Sequence, residues 1–190
     1  MAIIDVDKGT TFVRSQRYIG ERVTAALEAI DPPAIARAIE ILLKAPQIFV
    51  YGAGHSGIIG RAFAMRLVQA GLRAYVIGES VTPIVRQGDA VFLLSAQGES
   101  YSSIQTANIV RREGAELIVL TSKPGSKLAH TASHLITVEF PEDSERPRFA
   151  PLGTLFEAAS LRLTDGLIAE LLRVRGETEE SMRRRHAIMV

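Results

Sequence analysis

The sequence predicts an α/β fold: a three-layer sandwich, flavodoxin- or Rossmann-like, with one five-stranded parallel sheet between helices. Three observations predict it. Runs such as Ala90-Val91-Phe92-Leu93-Leu94 and Leu117 to Leu120 are apolar throughout rather than alternating, as in strands covered on both faces. Stretches with apolar residues three and four apart separate these runs, the period of helices. Polar, glycine-bearing loops follow two of the strands directly before a helix, which is the order of βα units.

Residues 1–45 read as a helical arm. Phe12, Ile19, Val23, Ala26, Leu27 and Ile30 have the spacing of one helix. Asp31-Pro32-Pro33 stops it and opens a second, Ala34 to about Ala45, with Asp31 as cap and proline at the first helical position. Residues 46–140 form the α/β core, with strands Gln47 to Tyr51, Ala74 to Ile77, Asp89 to Ser95, Glu116 to Thr121 and Leu135 to Val138. Helices from Ile58 to Ala70 and from Tyr101 to about Glu113 end at Gly71 and Gly114, residues suited to a left-handed C-terminal position. A short helix covers Lys127 to Thr131. Residues 141–190 hold a polar stretch with Pro141, Pro147 and Pro151, read as a loop, then a long helix from Thr154 to about Arg173 and a basic tail. One domain spanning 1–190 is expected.

A chain of 190 residues, 47% hydrophobic and 23% charged, matches one globular domain. The absence of Cys removes a disulfide scaffold, a thiolate zinc site and a Cys nucleophile together. With 22 Lys+Arg against 21 Asp+Glu the net charge is +1, so no basic footprint for nucleic acid is present. No apolar run approaches the ~18 residues of a membrane span. Met1 to Thr10, with Asp5 and Asp7, lacks the basic-then-apolar order of a signal segment. The four His show no metal-ligand spacing, and no metal is expected. The expectation is a cytoplasmic protein, with neither nucleic acid nor membrane as partner, acting on something small.

Two loops carry the chemistry. Gly52-Ala53-Gly54-His55-Ser56-Gly57 matches a dinucleotide fingerprint, with Glu79 about where a ribose-binding acid would lie, but a lone fingerprint is weak evidence, and the plainer reading is glycines that only let a strand turn sharply into its helix. Ser95-Ala96-Gln97-Gly98-Glu99-Ser100 sets hydroxyls, an amide and free backbone N–H groups before a helix, a site for one phosphate group. Ser100 in the same place would also cap that helix, using the same orphan donors. Two such loops without a Lys-bearing P-loop favour a sugar phosphate over a nucleotide.

Gly52 to Gly57, Arg61-Ala62-Phe63-Ala64-Met65-Arg66-Leu67, Val76-Ile77-Gly78-Glu79, Thr82-Pro83, Ser95 to Ser100 and Ala150-Pro151-Leu152-Gly153-Thr154-Leu155-Phe156-Glu157 together resemble a sugar isomerase (SIS) domain, and within it the 6-phospho-3-hexuloisomerases. The resemblance covers nearly the whole chain, to Arg183-Arg184-Arg185-His186-Ala187. It implies interconversion of 3-hexulose 6-phosphate and fructose 6-phosphate through a cis-enediol, in the ribulose monophosphate route of formaldehyde fixation or its reverse. It also implies a homotetramer needing no cofactor. The family's phosphate loop usually reads Ser-Gly-Ser-Gly-Glu-Thr, and an Arg is common where this chain has His55. Here Ala96, Gln97 and Ser100 depart from that loop, which loses a hydroxyl and stiffens the backbone at Ala96.

By this resemblance Glu157 is the candidate base and His186 the candidate proton shuttle, reaching a neighbouring subunit's site. Gly54, His55, Ser56, Ser95, Gln97 and Ser100 would hold the substrate and its phosphate. Glu157 also closes a capping-box pattern, Thr154-Leu155-Phe156-Glu157, and a His so near the terminus is ordinarily just solvated. His130 and His134 read as structural, Glu79 and Glu99 as secondary bases, and Arg66 as an ion-pair or subunit-contact residue. Other SIS isomerases of pentose or heptose phosphates, and a sugar-phosphate-binding regulator without catalysis, are the alternative readings.

Overall fold

The computed structural model describes residues 9–187; Asp5, Asp7 and the last three residues of the tail lie outside them. The arm is α1 (Thr11–Glu28) and α2 (Pro32–Lys44). The core is β1 (Ile48–Gly52), α3 (His55–Gln69), β2 (Ala74–Val76), β3 (Ala90–Leu94), α4 (Tyr101–Arg112), β4 (Glu116–Thr121) and β5 (His134–Thr137). The chain finishes with α5 (Arg146–Phe149), α6 (Thr154–Arg175) and α7 (Glu179–Arg184), and one 3-10 turn covers Ala129–Thr131.

All strand pairs are parallel and the sheet order is β2-β1-β3-β4-β5. The winding direction reverses between β1 and β3, so their C-terminal ends diverge into a crevice, the usual ligand position of open α/β sheets. Alternate residues of each strand feed two cores. Ile48, Val50, Phe92, Leu94, Ile118 and Leu120 join Phe63, Leu67, Leu163 and Leu167 in the larger cluster. Phe49, Val91, Leu93, Leu117 and Val119 meet Ala107, Val110 and Leu128 in the other. Both faces are dry, which is why the strands show no polar alternation. Phe49, Phe63 and Phe92 are fully buried, each contributing about 1.5–3 kcal/mol of transfer free energy.

The five strands and the long helices appear where the sequence places them, within a few residues at their ends. Three differences have physical causes. First, α3 begins at His55 rather than Ile58, so His55 and Ser56 belong to its first turn and not to a loop. The glycines fit a strand packed hard against that turn: a Cβ on Gly57 would lie 2.5 Å from the Gly52 carbonyl oxygen, and one on Gly52 would lie 2.6 Å from the Ser56 carbonyl carbon. Second, the proline-marked stretch before α6 contains the short helix α5, whose Pro147 sits in the opening turn, where a missing N–H costs nothing. Third, the basic tail is helical over α7. Thr178 and Ser181 form a reciprocal capping box there. Asp31 and Ser100 occupy the N-cap positions of α2 and α4 as expected, but neither side chain makes a capping hydrogen bond.

Candidate active site

The carboxyl ends of β1, β3 and β4 carry the polar turns, and the N-termini of α3, α4 and α6 converge on the same edge of the sheet. Ser95 is buried; its Oγ accepts the Gly98 N–H at 3.2 Å and tightens the turn after β3. Gly98 has φ +65°, and a Cβ there would collide with the Ser126 hydroxyl, so position 98 itself takes no side chain. Gln97 is exposed and lines a cleft with Ala96, Ser122, Lys123, Arg146 and Gly153. Ser100 precedes α4 as its N-cap, its hydroxyl 3.1 Å from that of Ser102. The first-turn N–H groups of α4 have no acceptor inside the helix and open toward the same edge.

Glu157 stands one turn into α6. The capping box suggested by Thr154 to Glu157 does not form. Gly153 is the N-cap and has no side chain to offer, and the Thr154 hydroxyl donates instead to the Pro151 carbonyl at 2.6 Å. No capping hydrogen bond therefore occupies the Glu157 carboxylate, although it stays beside the first turn of α6. It lies where a Cβ on Gly153 would be 2.7 Å from Oε1, and its Oε1 is 3.9 Å from His55 Nδ1 across the gap between α6 and α3. A hollow of about 330 Å³ surrounds the pair, walled by Ile58, Ile59, Ala158 and Leu161. Leu152, just before α6, has φ +56°, a left-handed conformation costing leucine about 1–2 kcal/mol; its carbonyl accepts from Arg146 at 3.2 Å. Held strain of this kind gathers at functional sites.

Gly54 is the N-cap of α3, with His55 and Ser56 in the following turn, so these three, Glu157 and the Ser95–Ser100 turn all share one edge. His186 does not join them within one chain. Arg185 hydrogen-bonds the Gln69 carbonyl at the far end of α3, a helix of 15 residues and so roughly 22 Å long. His186 is exposed, its ring beside the Ala187 carbonyl at 2.9 Å.

Other residues settle into structural work. His130 Nδ1 lies 2.8 Å from the Ser126 carbonyl and His134 Nε2 lies 2.7 Å from that of Ala34. Glu79 pairs with Arg61 at 3.0 Å, which occupies the acid a dinucleotide ribose would need. Glu99 accepts the Lys127 N–H, and that bond, ahead of the Lys127 charge, holds its carboxyl below the usual range. Among the described residues Arg66 hydrogen-bonds Gln69, at 3.2 Å. Residues not singled out in the sequence are Ser122, Lys123 and Arg146. Ser122 and Lys123 follow β4 on the site edge, and the Ser122 hydroxyl is buried without a hydrogen-bond partner in the cleft wall. Their position directly after an apolar strand was the available signal.

Among the described residues no cluster of His, Asp or Glu could hold a metal, and no helix is long and apolar enough to cross a membrane. The SIS domain family matches residues 41–156. The chain is 35% identical over 150 residues to a 3-hexulose-6-phosphate isomerase of Bacillus subtilis, covering 77% of this chain and 81% of the relative. It is 33% identical over 153 residues to one of Methylomonas aminofaciens, covering 80% and 84%. A solved Methanococcus jannaschii structure, whose reported inference is a 3-hexulose-6-phosphate isomerase function, superimposes with a TM-score of 0.84 at 26% identity, over 93% of this chain and 99% of that one. The chain belongs to the SIS domain family.

Proposed function

We propose that the protein isomerises a sugar phosphate, and specifically that it interconverts 3-hexulose 6-phosphate and fructose 6-phosphate, the step used in the ribulose monophosphate route. What carries the reading is one placement: a carboxylate without a capping bond, Glu157, near two polar turns at the sheet's switch point, in a chain whose relatives bear that activity's name.

The phosphate sits on the turn from Ser95 to Ser100. Its charge meets the N-terminal end of α4, the hydroxyls of Ser95 and Ser100 and the amide of Gln97, and Lys123 adds a full positive charge at the cleft wall. Charge-assisted bonds of this kind contribute about 1.5–3 kcal/mol each. The sugar then extends toward α3 and α6, where Gly54 opens the floor and Ser56 and His55 face its oxygens. Glu157 takes the proton from C2 of the 3-ketose as electrons move into the C2–C3 bond, giving the cis-enediol. A second proton moves between the two oxygens, from O2 to O3, and return of the carbon proton to C3 leaves the carbonyl at C2. Histidine is the side chain that gains and loses protons near neutral pH, so His186 suits the oxygen transfer. It does so from a neighbouring copy, since its own chain carries it to the opposite edge. The exposed Ile58 and Leu161 beside Glu157, at 65% and 44%, are the surface such a copy covers in a homo-oligomer, read as a tetramer.

The test is incubation with fructose 6-phosphate in deuterium oxide, followed by NMR. The expected result is formation of 3-hexulose 6-phosphate with solvent deuterium at C3 of the remaining fructose 6-phosphate. Label at C1 instead would mean an aldose–ketose isomerase. Binding without any conversion would mean a regulator. Either outcome overturns the specific reaction.

A further inference from the structure

The segment leading to His186 is anchored more firmly than a chain end requires. Arg185 grips Glu177 with both arms, Nη1 to Oε2 at 3.0 Å and Nη2 to Oε1 at 2.8 Å, and its Nη1 also donates to the Gln69 carbonyl at 3.2 Å. The guanidinium lies over Gly71, where a Cβ would come within 3.0 Å of Cζ, and Arg175 reaches the Gly71 carbonyl at 3.4 Å. Ser181, itself in the capping box of α7, donates its hydroxyl to Glu177. The side chain of Glu177 is 17% exposed. The Arg185 bonds, then that of Ser181, hold the Glu177 carboxyl at about 2. Because the value is depressed, the anchor's contribution is complete above the unfolded value of 4.5 and is lost only as pH falls toward 2. Arg183 and Arg184, by contrast, pair among the described residues with Glu179 and Glu180 one turn back on α7, with both partners largely in solvent.

Of three consecutive arginines, then, one ties the tail to the body of the protein, and it is the one next to His186. We propose that Arg185 is a positioning residue: bridging Glu177 and the end of α3, it fixes the direction in which the chain leaves α7 and so aims His186 at a neighbouring copy's site. This rests on the reading of His186 as the proton shuttle. The physical reason is that proton transfer requires hydrogen-bond reach, whereas an untethered chain end spreads its side chain over many positions. The planar fork of Arg matches the two carboxylate oxygens of Glu177 at once, which a Lys ammonium would not.

Four proteins decide it: wild type, Arg185→Ala, His186→Ala and the double variant, each assayed for isomerisation of fructose 6-phosphate and for amide hydrogen exchange. The expected result is a fall in kcat of about tenfold or more for Arg185→Ala with KM nearly unchanged, and a double variant no slower than His186→Ala alone. Exchange across residues 179–187 rises at least about tenfold in Arg185→Ala while the sheet stays protected. Arg185→Lys recovers only part of kcat. Wild-type kcat in Arg185→Ala alongside an impaired His186→Ala would overturn the anchor and leave the isomerase reading standing, as would losses that simply multiply in the double variant. Full activity in His186→Ala would overturn the shuttle and this role with it. Unchanged exchange in Arg185→Ala would overturn the anchor whatever the enzyme does.

Discussion

Glu157→Gln is expected to lower kcat by about 10²–10⁴-fold, the range a positioned general base supplies, with folding and sugar-phosphate binding retained. The amide is nearly isosteric, so packing at the start of α6 is unchanged. The charge that the substitution removes faces His55 at 3.9 Å, and with both side chains partly in solvent that pairing is worth less than about 1 kcal/mol. No cap disappears either, because the Glu157 side chain caps nothing: Gly153 is the N-cap and Thr154 turns back to Pro151. A stability cost therefore cannot stand in for a catalytic one. Steady-state kinetics beside a thermal melt reads both effects. Wild-type turnover in this variant would remove Glu157 from the chemistry.

Deleting residues 183–190 should abolish isomerisation to a comparable degree while leaving the fold and its melting behaviour close to intact. The described part of the segment, residues 183–187, holds no strand, and Arg185 meets the α/β core at the end of α3, at Gln69 and Gly71. The informative step is mixing. If each tail serves a neighbour's site, a truncated subunit keeps a working Glu157 and a Glu157→Gln subunit keeps a working tail, so hybrid oligomers of two inactive proteins regain activity. Activity absent from the mixture, with hybrids shown to form, would contradict service of a neighbour's site and place each tail's action within its own subunit.

Much of this architecture was legible because the sheet is buried on both faces. A strand such as Ala90–Leu94 can be nothing but apolar when Phe92 faces one helical layer and Val91 and Leu93 face the other. Ends were less legible. The first turn of α3 is made of His55, Ser56 and Gly57, poor helix formers that read as loop, and close strand–helix packing rather than propensity makes them helical. The dense prolines before α6 hid α5 for a related reason, since Pro147 falls at the one place in a helix that accepts it. The pairing of His55 with Glu157 joins positions far apart in the chain, and only the packing of α3 on α6 creates it. The failed capping box shows the reverse hazard: a correct local pattern gave way when the helix was capped one residue early, at Gly153. Arg185 had no sequence signature separating it from Arg183 and Arg184; its distinction is the groove beside Gly71 into which it folds.

The assigned chemistry requires one edge of the sheet to hold a phosphate at one end and an acid–base carboxylate at the other. A crystal structure of the Glu157→Gln protein with fructose 6-phosphate bound would show both ends at once. The phosphate is expected on the backbone N–H groups that open α4, within the Ser95–Ser100 turn, and the substituted side chain about 3–3.5 Å from C2 or C3 of the open-chain sugar. A phosphate seated elsewhere, or a sugar whose C2 and C3 lie out of reach of position 157, would contradict it.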